Sequence, residues 1–479
     1  MINKDFKSNA KNVVDALANY LHECEEGSQK VINQPTIFDI VNDLDIEPLL
    51  ESGGLTGDKL ENFVKQYLKT TTKMHHNRYM AHQVSVPHPT GSLGSFIDGL
   101  TNNAMAIYEM GPGATAIEIH MINWMLKKIG WVPAPIPGAP KNAQVKSYGS
   151  GVMTNGGSLA NLTAMITARS AMFPNFWRDG NTGDVVVLVP EQSHYSLKRT
   201  IGILGLGEKN CISIPSDEDG RVIPNKLPKL IKNLEKNGKK IMAIVGNACG
   251  TAAGLYDPLD EISAICKEHN IWFHVDAAQG AGAIVCDEYR YLVNGIEKAD
   301  SVVWDAHKMF RTPVLSAAVL VKNYRHLDNA FTQEASYLVH DKEQPGIDQM
   351  MRAVECTKSG LGLKMFMSIA AMGEKGLIDY ISSRTKLAVE AAKYIEIQSD
   401  IECPVTPETC ILCFRIGKND QRQLEIRKKL LKDGNFYIST TYYKNARWLR
   451  CVIINPNTTL DDIKELIYEV RKINTELGT

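Results

Sequence analysis

Residues 271–278 read IWFHVDAA and residues 301–308 read SVVWDAHK, and these two runs decide the fold. Each is a short apolar stretch ending on charged residues, the pattern of a strand buried on both faces. The pattern repeats outward in DVVVLVP (184–190), CISIP (211–215), IMAIVG (241–246) and SAAVLVK (316–322). Helical patterns such as LPKLIKNLEKNG (227–238) and LDEISAICKEHN (259–270) lie between them. Strands and helices taking turns predict an α/β fold, a mostly parallel sheet covered by helices. Such sheets bind ligands beyond the carboxyl ends of their strands, so the polar residues after these runs are the first candidates for chemistry.

On the N-terminal side, spaced apolar residues (Val13, Val14, Leu17, Leu21, then Leu60, Phe63, Val64 and Leu68) predict a helical arm interrupted by Pro35, Pro48 and Gly53–Gly54. The stretch from His75 to Gly113 is rich in His, Pro, Gly and Asn and reads as turns rather than a regular element. PAPIPGAP (133–140) reads as a rigid connector. Beyond residue 370, a long helical pattern through GLIDYISSRTKLAVEAAKYIEI, two strands (CILCFRI and RWLRCVIIN) and a closing helix LDDIKELIYEVRKI predict a small α+β domain. The expected organisation is an arm over 1–85, a large domain over 86–370 and a small domain over 371–479.

At 479 residues and 44% hydrophobic, the chain can bury a large core, which excludes a disordered protein. Lys and Arg number 53 against 54 Asp and Glu, so no basic excess is available to neutralise a nucleic acid. The ten cysteines are scattered, which fits reduced thiols and a cytoplasmic location. MINKDFKSNAKNVVDALANYL carries no apolar leader core, and no run approaches a membrane span, so neither targeting nor anchoring is expected.

Lys308 follows an apolar strand, where an isolated lysine would ordinarily snorkel to water. Thirty-two residues earlier Asp276 ends another such strand, where a carboxylate is costly without a partner. An amine and a carboxylate at neighbouring strand ends suit pyridoxal phosphate, which needs a lysine for its Schiff base and an aspartate to keep its ring nitrogen protonated. Gly156-Gly157-Ser158 leads into a helix and offers backbone N–H groups and a hydroxyl to a phosphate, although the same triplet serves elsewhere as a plain N-cap. His307 stands beside the lysine. His194, just past DVVVLVP, is placed to stack on a flat ring, and the small Ala278 permits close approach on the other face. Cys410 and Cys413 form a CxxC pair, but both fall in an apolar run and read as strand core; no metal site is expected.

Together these motifs, with GTAAGLYDPLDEI, ASYL and the late WLRCVIINP, resemble the group II pyridoxal-phosphate-dependent amino acid decarboxylases, in particular the glutamate and cysteine sulfinate decarboxylase branch. The resemblance runs from about His75 to the C-terminal helix. It implies a fold-type I enzyme and a homodimer whose site spans the subunit interface. It also implies α-decarboxylation of a small L-amino acid, with acidic substrates (glutamate, aspartate, cysteine sulfinate) favoured and diamino or aromatic acids left open. By resemblance, Lys308 carries the cofactor, Asp276 meets the pyridine nitrogen, His194 stacks, Ala278 walls the opposite face, and Gly157, Ser158 and His307 bind phosphate. Gln83 would line the substrate pocket and Arg450 would grip a substrate carboxylate.

The chain departs from the family in three places. No tyrosine occurs from Leu338 to Asp379, where the family's mobile loop presents its proton donor; His340 is the candidate substitute. Related enzymes without that tyrosine divert the decarboxylated intermediate to oxygen and give an aldehyde, so that product is the nearest alternative. Asp305 stands where the glutamate branch has Asn, and Gln279 replaces an aromatic residue. Another fold-type I lyase or aminotransferase is a more distant alternative that the WDAHK and SHYSLK contexts disfavour, and a non-catalytic relative would be expected to lose Lys308 or Asp276.

Overall fold

The computed structural model describes residues 2–138, 147–181, 183–331 and 346–478. They form two compact units: Gln83–Thr385 with Pro407–Thr409, and Met1–His82 with Lys386–Thr406 and Cys410–Thr479. This differs from the three segments expected from sequence, because the N-terminal arm and the C-terminal segment share one unit. No described helix is long and apolar enough to cross a membrane.

The larger unit is built on a seven-stranded sheet: β1 (Ser150–Thr154), β2 (Val185–Pro190), β3 (Cys211–Ile214), β4 (Lys240–Asn247), β5 (Trp272–Asp276), β6 (Ser301–Asp305) and β7 (Ala317–Val321), in the order β1-β7-β6-β5-β4-β2-β3. β7 runs antiparallel to both its neighbours, and the other six strands are parallel. The six apolar runs are β2 to β7, five of them with their ends trimmed and β4 extended by one residue at each end. SGVMT makes β1, a strand the sequence reading misses because five residues flanked by glycine and asparagine carry little period. β2, β5, β6 and β7 are buried along their whole length, which explains why they read as continuous apolar runs rather than alternating ones. Helix Gly157–Met172 packs across the sheet, with Ala160, Ala164, Met165 and Ala168 in its core.

The His75–Gly113 stretch holds a helix, Pro89–Thr101, contrary to the turn-rich expectation. Pro89 takes a first-turn position, and the His88 ring accepts a hydrogen bond from Thr90 N at 3.2 Å. Gly91 and Gly94 are there for packing: a Cβ on Gly94 would meet Lys364 Cα at 3.0 Å.

In the smaller unit, β8 (Ile401–Glu402), β9 (Ile411–Ile416), β10 (Ser439–Tyr443) and β11 (Ala446–Val452) form an antiparallel sheet in the order β10-β11-β9-β8. Backbone bonds tie the arm to this sheet. Val31 N donates to Gly434 O at 2.8 Å, Met80 N to Tyr437 O at 2.9 Å, and Val452 N to Met80 O at 2.8 Å. Gly434 is required there, with φ at 77° and Ile32 O only 2.4 Å from where a Cβ would sit. Cys410 and Cys413 are buried as the strand-core reading expects, and burial pushes the Cys413 thiol up to about 12.

Candidate active site

The parallel strands β1, β2, β4, β5 and β6 point their carboxyl ends to one edge of the sheet, and a cavity of about 290 Å³ opens there. Lys308, Asp276, His194 and Ala278 line it, together with Gly157, Ser158, His307 and Gln83. The topology gathers residues as far apart as Gly157 and Lys308, which follow β1 and β6, because each comes just after a strand end. In register, Asn247 at the end of β4 lies opposite Asp276 at the end of β5, and Asp276 lies opposite Val303 on β6.

Lys308 sits in the short turn Ala306–Met309 directly after β6, with Nζ 3.5 Å from Asp305 Oδ2. Burial raises the Asp305 pKa above the ordinary carboxylate value, opposed by the nearby charges of Lys308 and His307. Its Oδ1 is buried and meets no hydrogen-bond partner among the described residues. His307 Nδ1 lies 2.8 Å from Ser316 O, which fixes the ring, and its Nε2 lies 3.6 Å from Asp305 Oδ2.

Asp276 is buried and well held: Oδ2 accepts from Asn161 Nδ2 at 3.0 Å and Oδ1 from Ala278 N at 3.1 Å. His194 is the N-cap of helix Tyr195–Ile203, its Nδ1 accepting from Ser196 N at 3.3 Å and lying 2.8 Å from Ser196 Oγ. Burial lowers its pKa, helped by the positive charge of Lys308, so the ring is neutral at pH 7. Gly156, at φ 99°, turns the chain into helix Gly157–Met172, and a Cβ on Gly157 would lie 2.6 Å from Asp305 Oδ2. Only glycine lets the helix start come this close to the end of β6. Gln83 Nε2 is buried and has no partner among the described residues.

Arg450 lies in the smaller unit, buried on β11 opposite Ser439 and Cys413. His340 lies outside the described residues. Both departures at Asp305 and Gln279 line the cavity. The sequence reading passed over Asn161, Ser196 and His274. The available signal was polarity in the wrong place: His274 interrupts a five-residue strand that is otherwise apolar before Asp276, and Asn161 falls on the buried face of its helix.

The residues fit pyridoxal phosphate. A lysine amine, a held carboxylate and a neutral imidazole face one cavity. The start of a sixteen-residue helix, with Gly157 and Ser158, offers N–H groups to an anion at its rim. The sheet order, with one antiparallel strand beside the lysine-bearing turn, and this donor set define a fold-type I pyridoxal phosphate enzyme. The family described as pyridoxal-dependent decarboxylase conserved domain matches residues 51–417. The chain belongs to that family and is a pyridoxal-phosphate-dependent amino acid decarboxylase, as the resemblance to the group II enzymes implies.

Among relatives, L-2,4-diaminobutyrate decarboxylase of Acinetobacter baumannii is 25% identical over 97% of this chain and 92% of its own. The acidic amino acid decarboxylase GADL1 of Xenopus tropicalis is 26% identical over 89% of this chain and 85% of its own. The crystal structure of mouse CSAD superposes with a TM-score of 0.86 at 24% identity, covering 98% of both chains. That of Oryza sativa TDC with PLP and tryptamine gives 0.89 at 20% identity over 99% of both. These two likenesses show the shared fold.

Proposed function

We propose that this enzyme decarboxylates a small L-amino acid with an acidic side chain, such as glutamate, aspartate or cysteine sulfinate, to the amine and CO2. The observation that carries the acidic reading is Gln83 Nε2, a buried donor at the cavity without a partner among the described residues, which suits a substrate carboxylate as acceptor. The similarity to an acidic amino acid decarboxylase supports it. Lys308 would bond the cofactor, Asp276 would meet its ring nitrogen, His194 and Ala278 would flank its ring, and Gly157, Ser158 and His307 would hold its phosphate. When bound, the cofactor supplies the electron sink for loss of the α-carboxylate. Whenever it is not bonded to the cofactor, the Lys308 amine would be held beside Asp305 as its counter-charge. Arg450 and His340 keep the roles the resemblance implies, substrate carboxylate binding and proton donation.

We further propose a homodimer. Leu93, Phe96, Ile97 and Leu100 recur at helical spacing on Pro89–Thr101 and are exposed, an apolar stripe of the kind a second copy covers. Light scattering is expected to give twice the chain mass, and Phe96→Lys to shift it toward one.

The test is a product assay on cofactor-loaded protein with a panel of L-amino acids, following CO2, amine, aldehyde and peroxide together. Amine matching CO2 from an acidic substrate is expected. Preference for 2,4-diaminobutyrate would instead favour the reading suggested by the Acinetobacter relative. Aldehyde with peroxide and oxygen uptake would make the tyrosine missing from 338–379 the deciding feature.

A further inference from the structure

Behind the cavity runs a buried chain of hydrogen bonds with a single sense. Trp272 Nε1 donates to Ser301 Oγ at 2.9 Å, and an indole N–H can only donate. Ser301 Oγ lies 2.8 Å from His274 Nδ1, His274 Nε2 lies 2.9 Å from Asn161 Oδ1, and Asn161 Nδ2 donates to Asp276 Oδ2 at 3.0 Å. The carboxylate at the far end only accepts. With both ends fixed, every proton between them is assigned: the Ser301 hydroxyl donates to Nδ1, and His274 carries its proton on Nε2 and gives it to the Asn161 carbonyl. Burial holds the His274 pKa down to about 4, so the ring is neutral as this assignment demands. An Asn161 amide turned over would set its carbonyl against the Asp276 carboxylate and its NH2 against the His274 N–H, so only one orientation is stable.

Asn161 has a second N–H, and it too is used. It donates to Ser196 Oγ at 3.1 Å, and Ser196 Oγ lies 2.8 Å from Nδ1 of His194. Asn161, Ser196, His274 and Ser301 are all buried. One amide thereby reaches two groups that face the cavity from different strands: Asp276 after β5, and His194 beyond β2.

We propose that Asn161 is the shared positioning residue of this site, fixing Asp276 with one N–H and His194 through Ser196 with the other, and that His274 locks the amide in the orientation this requires. The inference rests on the cofactor reading of the cavity. A chain of aligned hydrogen bonds polarises each member, and one closed at both ends leaves Asp276 a single rotamer. The same amide couples the edge of the bound ring to its face, so disturbing Asn161 disturbs both contacts at once.

The experiment measures cofactor dissociation from the full-length protein, and the pH midpoint of the bound cofactor's absorbance, in Asn161→Leu, Asn161→Ser, His274→Phe and His274→Gln. Losing a hydrogen bond to a charged group is expected to weaken cofactor binding about ten- to a hundredfold in Asn161→Leu and to move the absorbance midpoint. His274→Phe is expected to act in the same direction with smaller size, and His274→Gln, which keeps an N–H donor, to restore most of the loss. In an Asp276→Ala background the effect of Asn161→Leu should shrink to less than about threefold, since the shared partner is gone. Undiminished effects in that background, or His274→Phe matching the unchanged protein in both readouts, would overturn the proposal. Should Asn161→Leu not fold, as judged by its melting transition, Asn161→Ser and the two His274 variants decide the matter. If Asp276→Ala and Lys308→Ala themselves leave cofactor binding and absorbance unaltered, the cofactor reading of the cavity fails instead.

Discussion

Among the described residues of the larger unit, two lysine–carboxylate pairs have a buried carboxylate, and they are built differently. Lys358 and Glu118 are completely enclosed, joined to each other, with Glu118 Oε1 also accepting from Met153 N at 3.1 Å. Lys308 and Asp305 stand 3.5 Å apart, and the lysine side chain keeps 17% of its surface exposed to a cavity. The first pair is a sealed seam between helix Pro112–Ile129 and the segment ahead of helix Leu361–Glu396; no ligand has room to reach it. The second is loosely paired, opens onto space, and has neutral His194 and the Asp276 carboxylate around that space. An amine that must leave its partner to react cannot be held as Lys358 is held. Burial alone therefore does not mark a functional lysine; a cavity and a weak partner do.

Substitution should separate the two pairs. Lys308→Ala is expected to lower the decarboxylation rate by about a thousandfold or more, since the residue proposed to bond the cofactor is lost. Borohydride reduction followed by mass spectrometry should then find no cofactor attached, while the melting temperature changes little. Lys358→Met should do the reverse. It strands the Glu118 charge and is expected to cost about 3–5 kcal/mol in denaturant unfolding, with the rate per folded molecule nearly unchanged. Replacing both partners, as Lys358→Met with Glu118→Leu, should recover most of that stability; a large loss of turnover in the double variant would break the distinction.

His274 gives an effect of intermediate size with a definite sign. Its pKa falls from the ordinary 6.5 to about 4 on folding because burial disfavours the charged ring. Above pH 6.5 the ring is neutral whether folded or not, and its contribution is fully present. As pH drops toward 4 the unfolded chain takes up the proton first, and up to about 3 kcal/mol of stability is lost. Unfolding free energies measured across that window should therefore fall less steeply in His274→Phe than in the unchanged protein. The smallest effect is expected at Gln83, where Gln83→Leu removes one donor and should raise KM for an acidic substrate about tenfold with a modest change in kcat. An equal rise for a substrate without a side-chain acid would mean that Gln83 serves the α-carboxylate or the loop instead.

Much of this molecule was legible before any coordinates. β2 and β4 to β7 stand out because strands buried on both faces leave continuous apolar runs, and Lys308, Asp276 and His194 stand out because each ends or follows such a run. The helix Pro89–Thr101 does not, since Gly91 and Gly94 serve close packing against Lys364 and look locally like turn residues. Nor does the union of the arm with the C-terminal segment, which combines backbone bonds at Gly434, Tyr437 and Val452 with side-chain bonds such as Asn455 Nδ2 to His76 O, all between residues hundreds of positions apart. The succession of strands and helices, the charged residues at their ends and the family are written in the chain, because periodicity and motif spacing are local properties. Which lysine is sealed and which opens on a cavity, and that Asn161 and His274 stand behind Asp276, emerge from the folded chain. Enclosure and hydrogen-bond direction arise between segments far apart in sequence, where the topology of the sheet rather than any local signal sets the distances.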